Sequence, residues 1–285
     1  MALPTYLGIG VPRAGTTWLH EVLGSHPDVY VPARRKELSF FDLYYHRGER
    51  WYRKFFPDGS EADRYRAVGE ITPYYFYSPD CPERIARLEI PKLILILRQP
   101  VDRAWSYYGQ KIRNGMFRGT FEEFLTQSRW PVIDQGYYSR YLDRYRRYFD
   151  RDQMLILIFE RAMADPLGTK SAVAGFLGLE PTGFPTSGSD TIVNASYVPR
   201  ARGAYELAFR VSKLCRRYDL DWVVNGVKAL GIKQALGVAG EVRPMEAATR
   251  RRLDESFQDE ISTLEDMLEC SLDLWRTGPS SERPL

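Results

Sequence analysis

The stretch Tyr6-Leu-Gly-Ile-Gly-Val-Pro-Arg-Ala-Gly-Thr-Thr-Trp-Leu19 constrains this chain more than any other. Its first five residues form a strand-length apolar run, and a Gly/Pro turn follows. From Thr16 onward Trp18, Leu19, Val22 and Leu23 recur at helical spacing, with Gly24 as the stop. A strand that turns through glycines straight into a helix is how nucleotide-binding α/β domains open. Gly10 and Gly15 set the G-x4-G frame of a phosphate loop, where backbone N–H groups and a helix N-terminus cradle an anion. A nucleoside-triphosphate loop would continue Gly-Lys-Ser/Thr. Here Thr16 stands where that lysine belongs, and Arg13 is the cation inside the loop. The frame therefore suits a single-phosphate anion better than a triphosphate.

The rest of the chain repeats the alternation. Lys92–Leu97 and Met154–Phe159 are continuous apolar runs and read as strands buried on both faces. Val29–Val31 and Ala67–Ile71 are shorter candidates. Helices are predicted from an Asp80 cap to about Leu88, from Pro100 to about Asn114, and over Phe121–Gln127, Tyr137–Phe149 and Pro166–Leu177, the last stopped by Gly178. Everything after Tyr205 reads as helix, ending in one long acidic helix. The order implies an α/β fold, a mainly parallel sheet flanked by helices, with a helical C-terminal cover over roughly 203–275. The Thr/Gly/Ser/Pro-rich stretch 178–200 is the one candidate boundary, and a single domain over 1–285 is expected. Phe40–Phe56, with Tyr74, Tyr75 and Tyr77, reads as an aromatic core cluster rather than a binding face.

Composition excludes several classes. With 44% hydrophobic and 27% charged residues, the 285-residue chain is neither disordered nor collagen-like. No apolar run approaches the roughly 20 residues of a membrane span, and no signal peptide opens the chain, so a cytoplasmic protein is expected. The three cysteines, Cys81, Cys215 and Cys270, are widely spaced, and no two of the three histidines stand at i, i+4; no metal site is expected. His20, His26 and His46 read as packing or turn residues. The net charge of +3 conceals segments: five basic residues against one acid over 98–118, six against one over 200–217, and nine carboxylates against three arginines over 245–273. No nucleic-acid-binding motif accompanies the basic segments, so nucleic acid is not an expected partner.

A second anion position follows the strand 92–97. Arg98 ends that strand, at the carboxyl edge where ligands of open α/β sheets bind. Ser106 lies about two turns into the next helix and would face the same point. Two such sites on one sheet edge would fit a nucleotide phosphorylated at both its 5′ and 3′ ends.

Gly10-Val-Pro-Arg-Ala-Gly-Thr-Thr-Trp-Leu19 resembles the 5′-phosphosulfate loop of sulfotransferases, and Leu93 to Tyr108 resembles their 3′-phosphate motif. Arg35-Lys-Glu-Leu-Ser-Phe-Phe-Asp42, Gly69-Glu-Ile-Thr-Pro-Tyr-Tyr75, Asn194-Ala-Ser-Tyr-Val-Pro-Arg-Ala-Arg202 and Asp273-Leu-Trp275 are similar to the branch of heparan-sulfate and bacterial enzymes. The resemblance implies a P-loop-type fold and metal-free transfer of a sulfuryl group from 3′-phosphoadenosine 5′-phosphosulfate (PAPS), leaving PAP. It places Arg13, Ala14, Gly15, Thr16, Thr17 and Trp18 around the 5′-phosphosulfate, and Arg98 with Ser106 on the 3′-phosphate. Glu70 matches the family's glutamate and is the expected general base; Arg13 is the expected stabiliser of the leaving phosphate. Heparan-type enzymes carry a lysine where this chain has Ile71, so the cation near the sulfuryl group is absent or is supplied by Lys36. Arg200 and Arg202 are left outside the site.

The expected acceptor is a hydroxyl of a carbohydrate, lipid or natural product. The rivals are an ATP-dependent P-loop phosphotransferase, against which Thr16 counts, and a catalytically silent nucleotide-binding protein. The segment 204–236 mixes Arg and Lys with Phe, Leu, Val and Trp222 and is expected to be helical cover or a homodimer face, with membrane-surface association as the alternative.

Overall fold

The computed structural model describes residues 3–127, 131–185 and 242–276, with short pieces at 198–199, 211–212, 214–215, 219–220 and 237–238. The chain forms two compact units. The first comprises Met1–Gln99, Tyr137–Val193 and Glu260–Trp275; the second comprises Pro100–Gly136, Asn194–Asp259 and Arg276–Leu285.

The first unit holds a five-stranded, all-parallel sheet: β1 (Tyr6–Gly10), β2 (Val29–Tyr30), β3 (Ala67–Ile71), β4 (Lys92–Leu97) and β5 (Met154–Ile158), in the order β2-β3-β1-β4-β5. Parallel neighbours cannot be joined by tight turns, so each connection crosses over through helix. These are α1 (Thr16–Gly24), α2 (Glu49–Arg53) and α3 (Cys81–Ala86), then α4 (Pro100–Arg113), α5 (Phe121–Gln127) and α6 (Ser139–Arg146) between β4 and β5. Then α7 (Phe159–Ala164) and α8 (Pro166–Leu177) follow β5. After β1 the chain first builds one side of the sheet and then, from β3, crosses to the other. The carboxyl end of β1 is thus the crevice where such folds bind ligands.

Burial explains the strand runs. Every residue of β1 and β3 is buried, as are five of the six in β4. β5 differs from expectation: its run is as apolar as β4, yet Met154, Leu155 and Ile156 are only half-buried because β5 is the edge strand. Phe159, expected in that strand, instead opens α7. α1 runs through Gly24, and Ser25 ends it by donating its hydroxyl to the Val22 carbonyl at 2.6 Å. Asp80 precedes α3 but caps nothing; its carboxylate accepts from Arg84, one turn on, at 2.7 Å. Gly178 stops α8 in the left-handed conformation, as expected.

Two buried tyrosines of the α6 segment brace the carboxyl edge. Tyr145 donates its hydroxyl to the Tyr75 carbonyl (2.9 Å) beyond β3, and Tyr138 donates to the Arg98 carbonyl (2.8 Å) beyond β4. The aromatic stretch packs as core: Phe40 stacks on Tyr52 at 4.3 Å, with Phe41, Trp51 and Phe56 buried beside them.

In the second unit α4 packs Tyr108 against Phe121 and Phe124, and Arg250 pairs with Asp102 and Asp254. A short antiparallel ladder, β6 (Val198–Pro199) with β7 (Gly237–Val238), interrupts the stretch expected to be only loop and helix. The long acidic helix is also broken, into α9 (Ala247–Ser256), α10 (Gln258–Leu268) and α11 (Asp273–Arg276). Phe257, fully buried, leaves helical geometry at the first break. The remainder of 204–236, and Arg200 and Arg202, lie outside the described residues. Among the described residues no helix is long and apolar enough to cross a membrane.

Candidate active site

The loop leaving β1 takes the shape the glycine frame implies. Val11 N–H donates to the Ile96 carbonyl of β4 at 2.9 Å, which ties the loop to the sheet. Arg13 (φ 75°) and Gly15 (φ 88°) both sit in the left-handed region, and α1 begins at once. A Cβ on Gly15 would lie 2.8 Å from the Phe159 ring, so only glycine makes this turn against that neighbour. No side chain caps α1 and no acid stands in its first turn, so its leading N–H groups are available to an anion.

The side chains named from the sequence divide around this loop. Thr16 and Trp18 are buried, and Thr17 is exposed. Ala14 spends its N–H on the Val11 carbonyl at 3.2 Å, so its expected role on the phosphosulfate narrows to shaping the turn. Lys36 donates its Nζ to Thr17 Oγ1 at 2.7 Å, which brings a cation onto the first turn of α1. The Lys36 charge is also felt by His20, whose pKa falls to about 4, first through burial and then through Lys36. His20 is neutral at physiological pH.

Arg98 joins the two anion motifs. Its guanidinium donates to the Arg13 carbonyl at 3.1 Å and lies 4.7 Å over the Phe159 ring. Glu160 neighbours it: this carboxylate accepts from Gln99 N–H (3.0 Å) and Trp275 Nε1 (2.9 Å), and burial raises its pKa. Ser106 is buried in α4 and belongs to the second unit.

Glu70 is where the structure departs most from expectation. It sits on β3 opposite Leu7 and has no solvent exposure. Its oxygens accept from Tyr75 Oη (2.6 Å), Thr72 Oγ1 (2.8 Å) and the Leu38 backbone N–H, with Tyr52 Oη at 3.5 Å. Protein donors thus occupy both of its oxygens. Burial pushes its pKa up to about 8, against the pull of these hydrogen bonds. Glu37, adjoining Lys36, is the contrast: it is half-buried, and its carboxylate makes no hydrogen bond or ion pair among the described residues.

Sequence reasoning did not single out Phe159, Thr72, Tyr52 or Tyr138. Phe159 hid inside an apolar run, and the hydroxyls gain meaning only from the partners that folding brings to them. Among the described residues no cluster of three or more His, Cys, Asp or Glu is placed to hold a metal ion.

Residues 4–207 match the family model described as "Sulfotransferase domain". The chain is 37% identical over 187 residues to mouse heparan sulfate glucosamine 3-O-sulfotransferase 3A1, covering 62% of this chain and 46% of that protein. It is 33% identical over 199 residues to mouse bifunctional heparan sulfate N-deacetylase/N-sulfotransferase 4, covering 63% of this chain and 23% of that one. The matches thus span about half or less of those relatives. A sulfotransferase from Alicyclobacillus acidocaldarius shares the fold, with a TM-score of 0.69 at 23% identity over 97% of this chain and 100% of that one. With the glycine loop, the bare helix start and the Arg98 tie in place, the family match decides the assignment: this chain belongs to the PAPS-dependent sulfotransferase family.

Proposed function

We propose that the protein moves a sulfuryl group from PAPS to a hydroxyl of a carbohydrate-type acceptor. The observation that carries this reading is the Lys36–Thr17 contact at the uncapped start of α1. It supplies, from a different segment, the cation that Ile71 does not provide. Arg13, Arg98, Lys36 and the leading N–H groups of α1 suit a small dianion, and Arg98 is the proposed 3′-phosphate ligand of the first unit. PAPS supplies the sulfuryl group. The acceptor oxygen bonds to sulfur as the sulfur–oxygen bond to the phosphate breaks. Lys36 offsets charge on the transferring group, and Arg13 stabilises the departing phosphate without giving up its own proton.

The acceptor's proton passes to a carboxylate. Access favours Glu37, which lies beside Lys36 with its oxygens uncommitted among the described residues. The alternative is Glu70, the motif's glutamate. Its pKa of about 8 leaves only a minor ionised fraction at neutral pH, and the segment 36–42 would have to lift before it could touch an acceptor. An open groove of about 590 Å³, lined by Arg47, Arg50, Trp51 and Lys54, supports a saccharide that carries acidic groups. Arg35, next to Lys36, stacks on the same Trp51 ring at 5.8 Å.

Radiolabelled PAPS incubated with a panel of saccharides, lipids and small hydroxyl compounds tests the reading. Transfer to a saccharide hydroxyl is expected, and loss of Glu37 (Glu37→Gln) should slow it by on the order of a hundredfold. PAP binding without transfer to any member of the panel would instead favour the silent nucleotide-binding protein.

A further inference from the structure

Glu70 is tied to more than its immediate neighbours. The Leu38 N–H donates to its carboxylate directly. Ser39 N–H donates to Thr72 Oγ1 at 3.1 Å, and that hydroxyl donates onward to Glu70 Oε2 at 2.8 Å. Phe40 N–H donates to Tyr75 Oη at 2.8 Å, and that hydroxyl donates onward to Glu70 Oε1 at 2.6 Å. Three successive amides of one segment therefore converge on one buried carboxyl. The same segment begins with Lys36, held on Thr17, and Glu37. Ser39 takes the left-handed conformation (φ 53°), which turns its N–H and that of Phe40 toward this cluster.

We propose that Glu70 is a positioning residue: its carboxyl binds the backbone N–H groups of Leu38, Ser39 and Phe40, one directly and two through hydroxyl relays, and so fixes the wall that holds Lys36 at the phosphate loop. The inference rests on the sulfuryl-transfer reading for what that wall does, but the ties themselves are independent of it. The groups facing Glu70 are the Tyr6 phenol from β1, the Tyr52 phenol from α2, the Tyr75 phenol beyond β3 and the Asp42 carboxylate. Burial, and after it the Asp42 carboxylate, disfavours its ionised form, while the Tyr75 and Thr72 hydroxyls and the Leu38 N–H pull the other way; burial prevails, so near neutral pH the carboxyl holds a proton. One hydroxyl then accepts where it otherwise donates, and the ties persist. A glutamine amide reproduces that neutral form.

Amide hydrogen exchange at residues 38–40 of the full chain, measured beside steady-state kinetics, tests the proposal. Glu70→Ala should speed exchange at these amides by about tenfold or more, the equivalent of a lost hydrogen bond, and lower kcat while PAP affinity holds. Glu70→Gln should restore slow exchange and turnover to within a few-fold of the parent, with the acid limb of the pH–rate profile unmoved. Should Glu70→Ala fail to fold, Thr72→Val removes one relay alone and should speed exchange at Ser39. Unchanged exchange in Glu70→Ala or Thr72→Val overturns the proposal. So does a hundredfold loss of turnover in Glu70→Gln with exchange still slow, which would make Glu70 the base. If no sulfate transfer is found in the parent, the functional reading fails while the exchange data still decide the anchor.

Discussion

At the scale of the residue, Lys36 is the proposed replacement for a missing cation. The position after Glu70 carries Ile71, fully buried against β1, so no charge reaches the site from β3. Lys36, from a segment that precedes β3, meets Thr17. Lys36→Ala is expected to lower turnover by on the order of a hundredfold, the cost of removing one charged donor from a developing anion. Sulfate-transfer kinetics on the purified variant check this, with PAP binding as the control for folding. Glu70 carries a prediction of a different kind. Its folded pKa of about 8 lies above the ordinary 4.5, so the folded chain holds this proton more tightly than the unfolded one. Its contribution to stability is full below about pH 4.5 and declines as pH rises toward 8. Glu70→Gln should therefore flatten the fall of the urea midpoint across that window. Lys36 as a candidate cation was legible from its motif. The sealing of Glu70 was not, because a strand-end glutamate shows its exposure only when Thr72, Tyr75 and Tyr52 close on it.

At the scale of the element, the loop between β1 and α1 is the most local feature and was the most readable. Glycine spacing and a Gly/Pro turn need no distant partner to make their meaning plain. The partner that fixes Gly15, the Phe159 ring, comes from the start of α7 and could not be read from the loop. Gly15→Ala would force an alanine to φ 88° against that ring; a loss of about 1–3 kcal/mol is expected, with weakened PAP binding. Thermal melts and titration of PAP into the variant measure both effects. The strand runs show the complementary limit. β4 and β5 are equally apolar, yet only β4 is buried throughout, because sheet order decides which strand lies at the edge. The acidic C-terminal run likewise kept helical periodicity through Phe257, whose side chain is buried where the helix breaks.

At the scale of the whole molecule, the first unit gathers its sheet from the N-terminal residues and closes with residues from near the C-terminus. Trp275 is almost fully buried and donates its indole N–H to Glu160, the neighbour of Arg98. Glu260 binds Ser139 by both backbone and hydroxyl, at 2.8 Å each, at the start of α6. Trp275→Ala should cost about 3–5 kcal/mol by opening a cavity and leaving Glu160 short of a donor. A drop in melting temperature without gross change in helix content checks it. The near-neutral net charge of +3 says little about partners, while the local arrangement of Arg13, Lys36 and Arg98 says much more. Arg98 is the proposed discriminator between PAP and ATP, the two nucleotides at issue for this glycine loop. Isothermal titration of PAP and of ATP, into the parent and into Arg98→Ala, is the most direct measurement. The sulfuryl-transfer reading predicts saturable PAP binding that weakens at least about tenfold in Arg98→Ala, with ATP bound poorly in both. Tight ATP binding with no PAP binding would contradict it.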